Sequence, residues 1–75
     1  MENPRTTMIA RVLRVERASL LVCDCSTEQE VVVHTGRARC FSFGDCVCIR
    51  YNGIMALSMP PQITASCIEK HRPCR

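Results

Sequence analysis

Short runs in which hydrophobic and polar residues alternate recur along this chain and predict β-strands. In the segment 46–51 the apolar residues Val47, Ile49 and Tyr51 occupy every second position. Successive side chains of a strand point to opposite faces, so this alternation places the three residues together on one buried face. Comparable patterns predict five strands, at residues 6–16, 19–25, 29–35, 46–51 and 62–69.

The first predicted strand changes its hydrophobic phase part-way along. Met8, Ala10 and Val12 share one face, whereas Leu13 and Val15 lie on the other. One extra residue in a strand, a β-bulge, shifts the alternation in this way and bends the strand. A long first strand with such a bend is suited to serve both halves of a barrel.

The connections between segments predict which strands pair. Short turns on either side of the second strand join the first three strands into an antiparallel meander. Asn52-Gly53 tolerates positive φ and predicts a hairpin that pairs residues 46–51 with residues 54–58. The two prolines that follow end any such ladder, because neither has an N–H to donate.

Together these elements predict an all-β fold, a five-stranded antiparallel Greek-key barrel of the OB (oligonucleotide/oligosaccharide-binding) type. The segment 37–43 is too short for a long helix, so we expect a loop or one helical turn there. The length predicts a single domain, 1–75, with residues 1–5 and 70–75 as frayed tails. The alternative is another small barrel of the SH3-like kind.

The distribution of charged residues argues against a membrane protein. The chain is 47% hydrophobic, but charged residues interrupt its apolar stretches well before they reach the length of a membrane span. The first residues show no apolar signal core. We therefore expect a cytoplasmic protein that does not bind a membrane.

Seven cysteines in 75 residues suggest two different roles. Their odd number, and their position inside apolar runs, favour reduced thiols that pack as small hydrophobic side chains. Cys67, for example, is expected on the same strand face as Ile63 and Ala65. The alternative is a disulfide among the cysteines expected to face outward, Cys46, Cys48 and Cys74.

Two Cys-x-Cys pairs raise the question of a metal. Cys23 with Cys25, and Cys46 with Cys48, each place two sulfurs on one face of a strand. Structural zinc sites use four such ligands, so the two pairs would have to face each other across adjacent strands. We predict no cofactor, with zinc held by these four cysteines as the alternative.

Two stretches resemble known proteins. Glu-Val-Val-Val-His at 30–34, Gly-Arg at 36–37 and Gly-Asp-Cys-Val at 44–47 resemble part of bacterial translation initiation factor one and of ribosomal-protein S-one domains. Those families are OB barrels that bind RNA, so this resemblance implies the fold and RNA binding. The segment 52–65, with its Ser-x-Pro-x-Gln, is similar to the closing segment of small uncharacterised bacterial OB-like proteins. That likeness implies the fold and no activity.

We predict a non-enzymatic OB-type binding domain whose ligand the sequence does not identify. The net charge of +3 is mild and fits ordinary solubility charge, but nine of the ten basic residues are arginines, which suit phosphate. Since OB barrels bind single strands through basic grooves and aromatic rings, single-stranded nucleic acid, RNA by preference, is the first candidate ligand. We expect weak binding in which salt-sensitive charge dominates. Phe43 and Tyr51 are expected in the core. The candidate contacts are Arg11, Arg14, Arg37, Arg39, Phe41 and Arg50.

A protein-interaction or assembly module is the alternative function. A strand edge, or the apolar segment Met55 to Met59, would then bind another protein or a second copy of the chain. An enzyme is not expected, because the carboxylates are scattered singly and no Gly-rich phosphate loop is present. We therefore predict no catalytic residues.

Overall fold

The computed structural model describes residues 6–71, which form five strands and one 3-10 turn. The elements are β1 (Thr6–Val15), β2 (Ser19–Asp24), β3 (Glu30–His34), the 3-10 turn (Ala38–Cys40), β4 (Cys46–Tyr51) and β5 (Gln62–Lys70). Each strand begins and ends within one residue of its predicted bound. The five predicted strands and the single helical turn are confirmed. Within residues 6–71 there is no helix with the length and apolar character needed to cross a membrane.

The five strands close into a barrel in the order β1-β2-β3-β5-β4, and β4 pairs with β1. Four of these strand pairs are antiparallel, whereas β3 and β5 run parallel. The parallel pair arises because the connection after β4 carries β5 into the space between β3 and β4. The predicted fold class, an all-β barrel of five strands with at most one helical turn, is confirmed.

The bend predicted in β1 is present. The register of β1 against β2 shifts between Val12 and Arg14, so that Leu13 has no partner in the ladder. Val12 is fully buried on one side of this irregularity, and Arg14 is exposed on the other. The bend lets β1 pair with β4 through its first half and with β2 through its second half.

A second irregularity, in β5, overturns the predicted face of that strand. Tyr51 pairs with Ala65 and Arg50 pairs with Cys67, which leaves Ser66 as an extra residue. The extra residue turns Cys67 to the surface and brings Ile68, 3% exposed, into the core. The prediction that Cys67 faces inward is therefore wrong, because simple alternation does not hold across the bulge.

The predicted pairing of residues 46–51 with residues 54–58 is also wrong. β4 already has β1 on one side and β5 on the other, so it offers no free edge. The turn itself forms: Gly53 has a φ of +88°, and Asn52 Oδ1 accepts a hydrogen bond from the N–H of Ile54 at 2.9 Å. Residues 52–61, which we call the β4–β5 loop, leave the ladder at this point.

Aliphatic side chains fill the barrel. The predicted core face of β4 is confirmed, because Val47 and Ile49 are fully buried and Tyr51 nearly so. The buried cluster comprises Met8, Ala10, Val12, Leu20, Val22, Val31, Val33, Ala38, Phe41, Val47, Ile49, Tyr51, Ile63 and Ile68.

Residues 1–5 and 72–75, which make up most of the predicted tails, lie outside the described residues. Lys70, predicted to begin the second tail, pairs with Val47 as the last residue of β5.

Candidate functional site

The arginines predicted to bind nucleic acid do not form one groove. Arg11 lies on β1 and Arg50 lies on β4, both exposed. Arg50 pairs with Thr7, whereas Arg11 lies four residues further along β1. At about 3.3 Å per residue, the two positions are roughly 13 Å apart along the barrel.

Arg14 is exposed but already paired. Its Nε donates to Glu16 Oε2 at 3.1 Å, and both side chains are largely open to solvent. Such a pair adds little stability. It nevertheless offsets the charge of Arg14, which is therefore a poor phosphate contact.

The face over β2 and β3, which the predicted OB type would use for ligands, is not basic. A groove of about 250 Å³ lies on this face, which is below the usual volume of small-molecule sites. Its two carboxylates outnumber its one arginine, so its charge disfavours a phosphate backbone. The groove is lined by Arg14, Glu16, Ser19, Leu21, Glu30, Val32 and Pro60.

The two phenylalanines exchange their predicted roles. Phe41 is 7% exposed and packs in the core, so the prediction that it contacts a base is wrong. Its N–H donates to the carbonyl of Ala38 at 3.2 Å, which ends the 3-10 turn and folds the side chain inward. Phe43, expected in the core, is 75% exposed.

A tight turn explains the exposure of Phe43. Asp45 Oδ2 accepts from the N–H of Ser42 at 2.9 Å, and the N–H of Asp45 donates to the carbonyl of Ser42 at 3.0 Å. Gly44, with a φ of +90°, lets the chain reverse and donates its N–H to the carbonyl of Val12 at 2.8 Å. Phe43 lies at the outer corner of this turn.

Three arginines lie on two connections that meet, the β1–β2 turn and the β3–β4 connection. The N–H of Thr35 donates to the carbonyl of Ala18 at 3.1 Å, which ties the two segments together. Arg17 precedes Ala18, and Arg37 and Arg39 follow Thr35; all three are exposed. We call these three arginines the basic end. Among residues 6–71 none of them forms an ion pair.

Sequence reasoning found Arg37 and Arg39 but missed Arg17. Nothing local distinguishes Arg17 from an ordinary charged turn residue. Its significance comes from the closure of the barrel, which brings a turn before β2 against a segment after β3. That contact joins Ala18 to Thr35, 17 positions further along the chain, and has no sequence motif.

The β4–β5 loop exposes three large apolar side chains. Ile54 is 70% exposed, and Leu57 and Met59 are each 96% exposed. No residue of this loop is charged. Large apolar side chains gathered in one exposed segment indicate a contact surface more often than isolated ones do.

Hydrogen bonds hold the β4–β5 loop in its open shape. Ala56 and Gln62 exchange backbone hydrogen bonds at 2.8 and 3.2 Å. The hydroxyl of Ser58 donates to the carbonyl of Pro60 at 2.6 Å. Met55 packs against the core. The loop is thus anchored at several points while its three apolar side chains point to solvent.

Two consecutive side-chain hydrogen bonds link the β4–β5 loop to β3. His34 Nε2 lies 2.6 Å from Gln62 Oε1, and because an amide oxygen only accepts, the ring nitrogen donates. Gln62 Nε2 in turn donates to Ser58 Oγ at 3.3 Å. The loop conformation is therefore fixed from outside the loop as well as from within.

The cysteines are less buried than predicted. Five are free: Cys23 and Cys48 are half-buried, and Cys25, Cys40 and Cys67 are exposed. None of these five belongs to the core cluster, so the predicted packing role is wrong for them. Cys46, named above as a disulfide candidate, is disulfide-bonded, whereas Cys74 lies outside the described residues.

The two Cys-x-Cys pairs do not meet. Cys23 lies on β2 and Cys48 on β4, and β1 separates these strands. Two strand spacings of about 4.8 Å each separate the pairs, so they do not face each other across adjacent strands. In the described part of the chain, no three His, Cys, Asp or Glu side chains are grouped to hold a metal.

The bulge in β5 makes a prediction about thiol reactivity. Cys67 should react with a disulfide reagent such as DTNB faster than Cys48, because Cys67 is exposed and Cys48 half-buried. The measurement compares Cys67→Ser with Cys48→Ser by the absorbance of released thiolate. Cys67→Ser should lose one thiol equivalent from the fast phase, to which the exposed Cys25 and Cys40 also contribute, and Cys48→Ser should lose one equivalent from a slower phase. Loss of a slow phase in Cys67→Ser would contradict the bulge.

Comparison with models of protein families, with curated proteins and with solved structures finds no match for this chain. Two surfaces of the described chain are suited to contact a ligand or partner, the β4–β5 loop and the basic end. The first is apolar and uncharged, and the second is cationic. They favour different ligands.

Proposed function

We propose that this chain is a non-enzymatic OB-type binding domain that assembles with a second copy of itself through the β4–β5 loop. The strand order supports the OB type, because one long strand serves both halves and β3 pairs parallel to β5. In barrels of this type the loop between the fourth and fifth strands is a ligand-contacting element, usually for oligonucleotides and oligosaccharides. The observation that carries the proposal is the 96% exposure of both Leu57 and Met59.

The gain from covering these side chains is substantial. Burying one Leu or Met side chain fully is worth about 1.5–3 kcal/mol. The hydrogen bonds of Ser58 and Gln62 already order the loop, so little further entropy is lost on contact. Contacts made by three side chains bury less surface area than a standard protein–protein interface, so we expect weak, concentration-dependent association.

A second copy suits this loop better than a charged partner does. In a two-fold symmetric contact the same patch meets itself, so the patch must be complementary to itself. An uncharged apolar loop meets this condition, whereas a cluster of arginines repels its own copy. A strand edge is a poor alternative, because every strand of the closed barrel already has two neighbours.

Two predictions from the sequence bear on this proposal. The cytoplasmic location stays a prediction: the five free thiols fit a reducing compartment, whereas the disulfide of Cys46 is typical of an oxidising one. The predicted groove for single-stranded nucleic acid is not part of this proposal. The arginines predicted to line it lie on separate parts of the barrel, and Phe41 is buried.

Sedimentation velocity over micromolar to millimolar protein tests the assembly. The average mass of the native chain should rise from 8.5 kDa towards twice that value as concentration increases. The double variant Leu57→Ser/Met59→Ser should remain at the monomer mass. Its loss of association should exceed about 100-fold, because two buried side chains contribute about 3 kcal/mol or more and each 1.4 kcal/mol is about tenfold in affinity.

Phe43→Ser provides the matched control. It also replaces an exposed apolar residue by serine, but outside the β4–β5 loop. It should associate like the native chain, with the circular dichroism of all three proteins unchanged. A native chain that stays monomeric throughout would overturn the proposal. So would an equal loss in Phe43→Ser, which would indicate non-specific hydrophobic association.

A further inference from the structure

The basic end is unexplained by self-assembly. Arg17, Arg37 and Arg39 are exposed on two segments joined by the hydrogen bond from Thr35 to Ala18. The N–H of Arg37 donates to Thr35 Oγ1 at 3.1 Å, which fixes the backbone where Arg37 begins. In the described part of the chain no carboxylate neutralises these three guanidinium groups.

An exposed aromatic ring belongs to the same connection. Phe43 lies four residues after Arg39, at the corner of the turn closed by Asp45. Tyr51 and Phe41 are buried, so among residues 6–71 Phe43 is the one Phe or Tyr ring that is available to a ligand. The backbone on both sides of Phe43 is hydrogen-bonded, which presents the ring without a large ordering cost.

This combination fits a phosphate-bearing chain with unpaired bases. Guanidinium groups form planar, bidentate hydrogen bonds with phosphate. Aromatic rings stack on the faces of exposed bases without regard to sequence. A double helix keeps its bases stacked inside, so the exposed Phe43 favours a single strand.

We propose that the basic end and Phe43 form a binding site for single-stranded nucleic acid, with phosphates on Arg17, Arg37 and Arg39 and a base stacked on Phe43. The site differs from the groove over β2 and β3, whose carboxylates disfavour phosphate. It is independent of the proposed self-assembly, because it shares no residue with the β4–β5 loop. Three phosphate contacts and one ring make the binding weak and dependent on salt.

Fluorescence anisotropy with a labelled oligouridylate of about ten nucleotides tests the site. Three phosphate contacts give a slope of roughly −2 in log affinity against log salt. Affinity should therefore fall about 20-fold between about 50 and about 200 mM salt. The measurements use Leu57→Ser/Met59→Ser as well as the native chain, so that loss of assembly is not mistaken for loss of binding.

Single-charge variants locate the phosphate contacts. Arg17→Gln, Arg37→Gln and Arg39→Gln should each reduce the steepness of the salt slope by about 0.7. Arg50→Gln is the matched control, because it removes the same charge from exposed β4. It should leave the slope unchanged. A slope reduced equally by Arg50→Gln would show that net charge alone attracts the strand and would overturn the site.

Phe43→Leu distinguishes the binding of nucleic acid from the binding of other polyanions. It keeps an apolar side chain but removes the stacking face, so oligouridylate binding should weaken by about fivefold or more. Binding of inorganic polyphosphate should be unaffected by this variant. An unchanged affinity for oligouridylate in Phe43→Leu would overturn the nucleic-acid assignment. No binding of the native chain at about 50 mM salt would overturn the site itself.

Discussion

Replacement of Ile49 by alanine is expected to remove a large part of the stability of this domain. Ile49 is fully buried, and it pairs with Met8 on one side and Ile68 on the other. Deleting a buried Ile side chain to alanine costs about 2–5 kcal/mol, because the lost burial adds to the cavity that remains. At roughly 0.05–0.15 kcal/mol per residue, a 75-residue chain holds only about 4–11 kcal/mol.

Chemical denaturation followed by circular dichroism measures this loss. Ile54→Ala is the matched control, because it removes the same atoms from a side chain that is 70% exposed. Its free energy of unfolding should stay within about 0.5 kcal/mol of the native value. Comparable losses in the two variants would contradict the barrel, since Ile49 would then not be enclosed.

The strands could be predicted because their signal is local. In β4 the alternation of Val47, Ile49 and Tyr51 is uninterrupted, and the predicted bounds coincide with those of the strand. The bulge at Leu13 was also visible, because apolar residues stand on both sides of the phase change. The bulge at Ser66 was not, because serine and cysteine are compatible with either face.

The pairing of strands depends on closure, which has no local signal. Asn52-Gly53 favours a tight hairpin, and the turn forms with Gly53 at positive φ. The chain beyond it does not pair back, because β5 and β1 occupy both edges of β4. The requirement to close the barrel therefore outweighs the local hairpin preference.

The candidate sites could be predicted only in part, because they too depend on contacts between segments that are distant in the sequence. Arg37 and Arg39 were identified from charge alone, but their combination with Arg17 requires the contact between Thr35 and Ala18. The expected positions of Phe41, on the surface, and Phe43, in the core, are reversed in the structure. Both residues lie in an irregular connection, where the chain reverses at Gly44 and alternation along a strand gives no guide to burial.

The β4–β5 loop and the segment around Phe43 have one structural feature in common. In each, hydrogen bonds outside the ladder hold a connection in a fixed shape: Ser58 and Gln62 do so in the β4–β5 loop, and Asp45 does so next to Phe43. A small barrel leaves little interior for a ligand pocket, so rigid connections are its available binding elements.

Replacement of Gly53 by alanine is expected to destabilise the domain by about 1–3 kcal/mol, the usual range for a strained backbone. Gly53 has a φ of +88°, which a residue with a Cβ rarely adopts. In addition, a Cβ at this position would lie 2.9 Å from Thr6 Oγ1, closer than real Cβ atoms approach. The free energy of unfolding from urea denaturation measures the loss.

Three further variants separate the two causes of this loss. Gly44→Ala has a similar φ of +90° but open space around the new Cβ, so it isolates the backbone strain. Thr6→Ala combined with Gly53→Ala removes the close contact and should recover the part of the loss that exceeds Gly44→Ala. Gly36→Ala meets nothing within 4 Å and has no positive φ, so its stability should be unchanged or slightly raised. A loss in Gly36→Ala equal to that in Gly53→Ala would show that neither the turn nor the approach of Thr6 determines the effect.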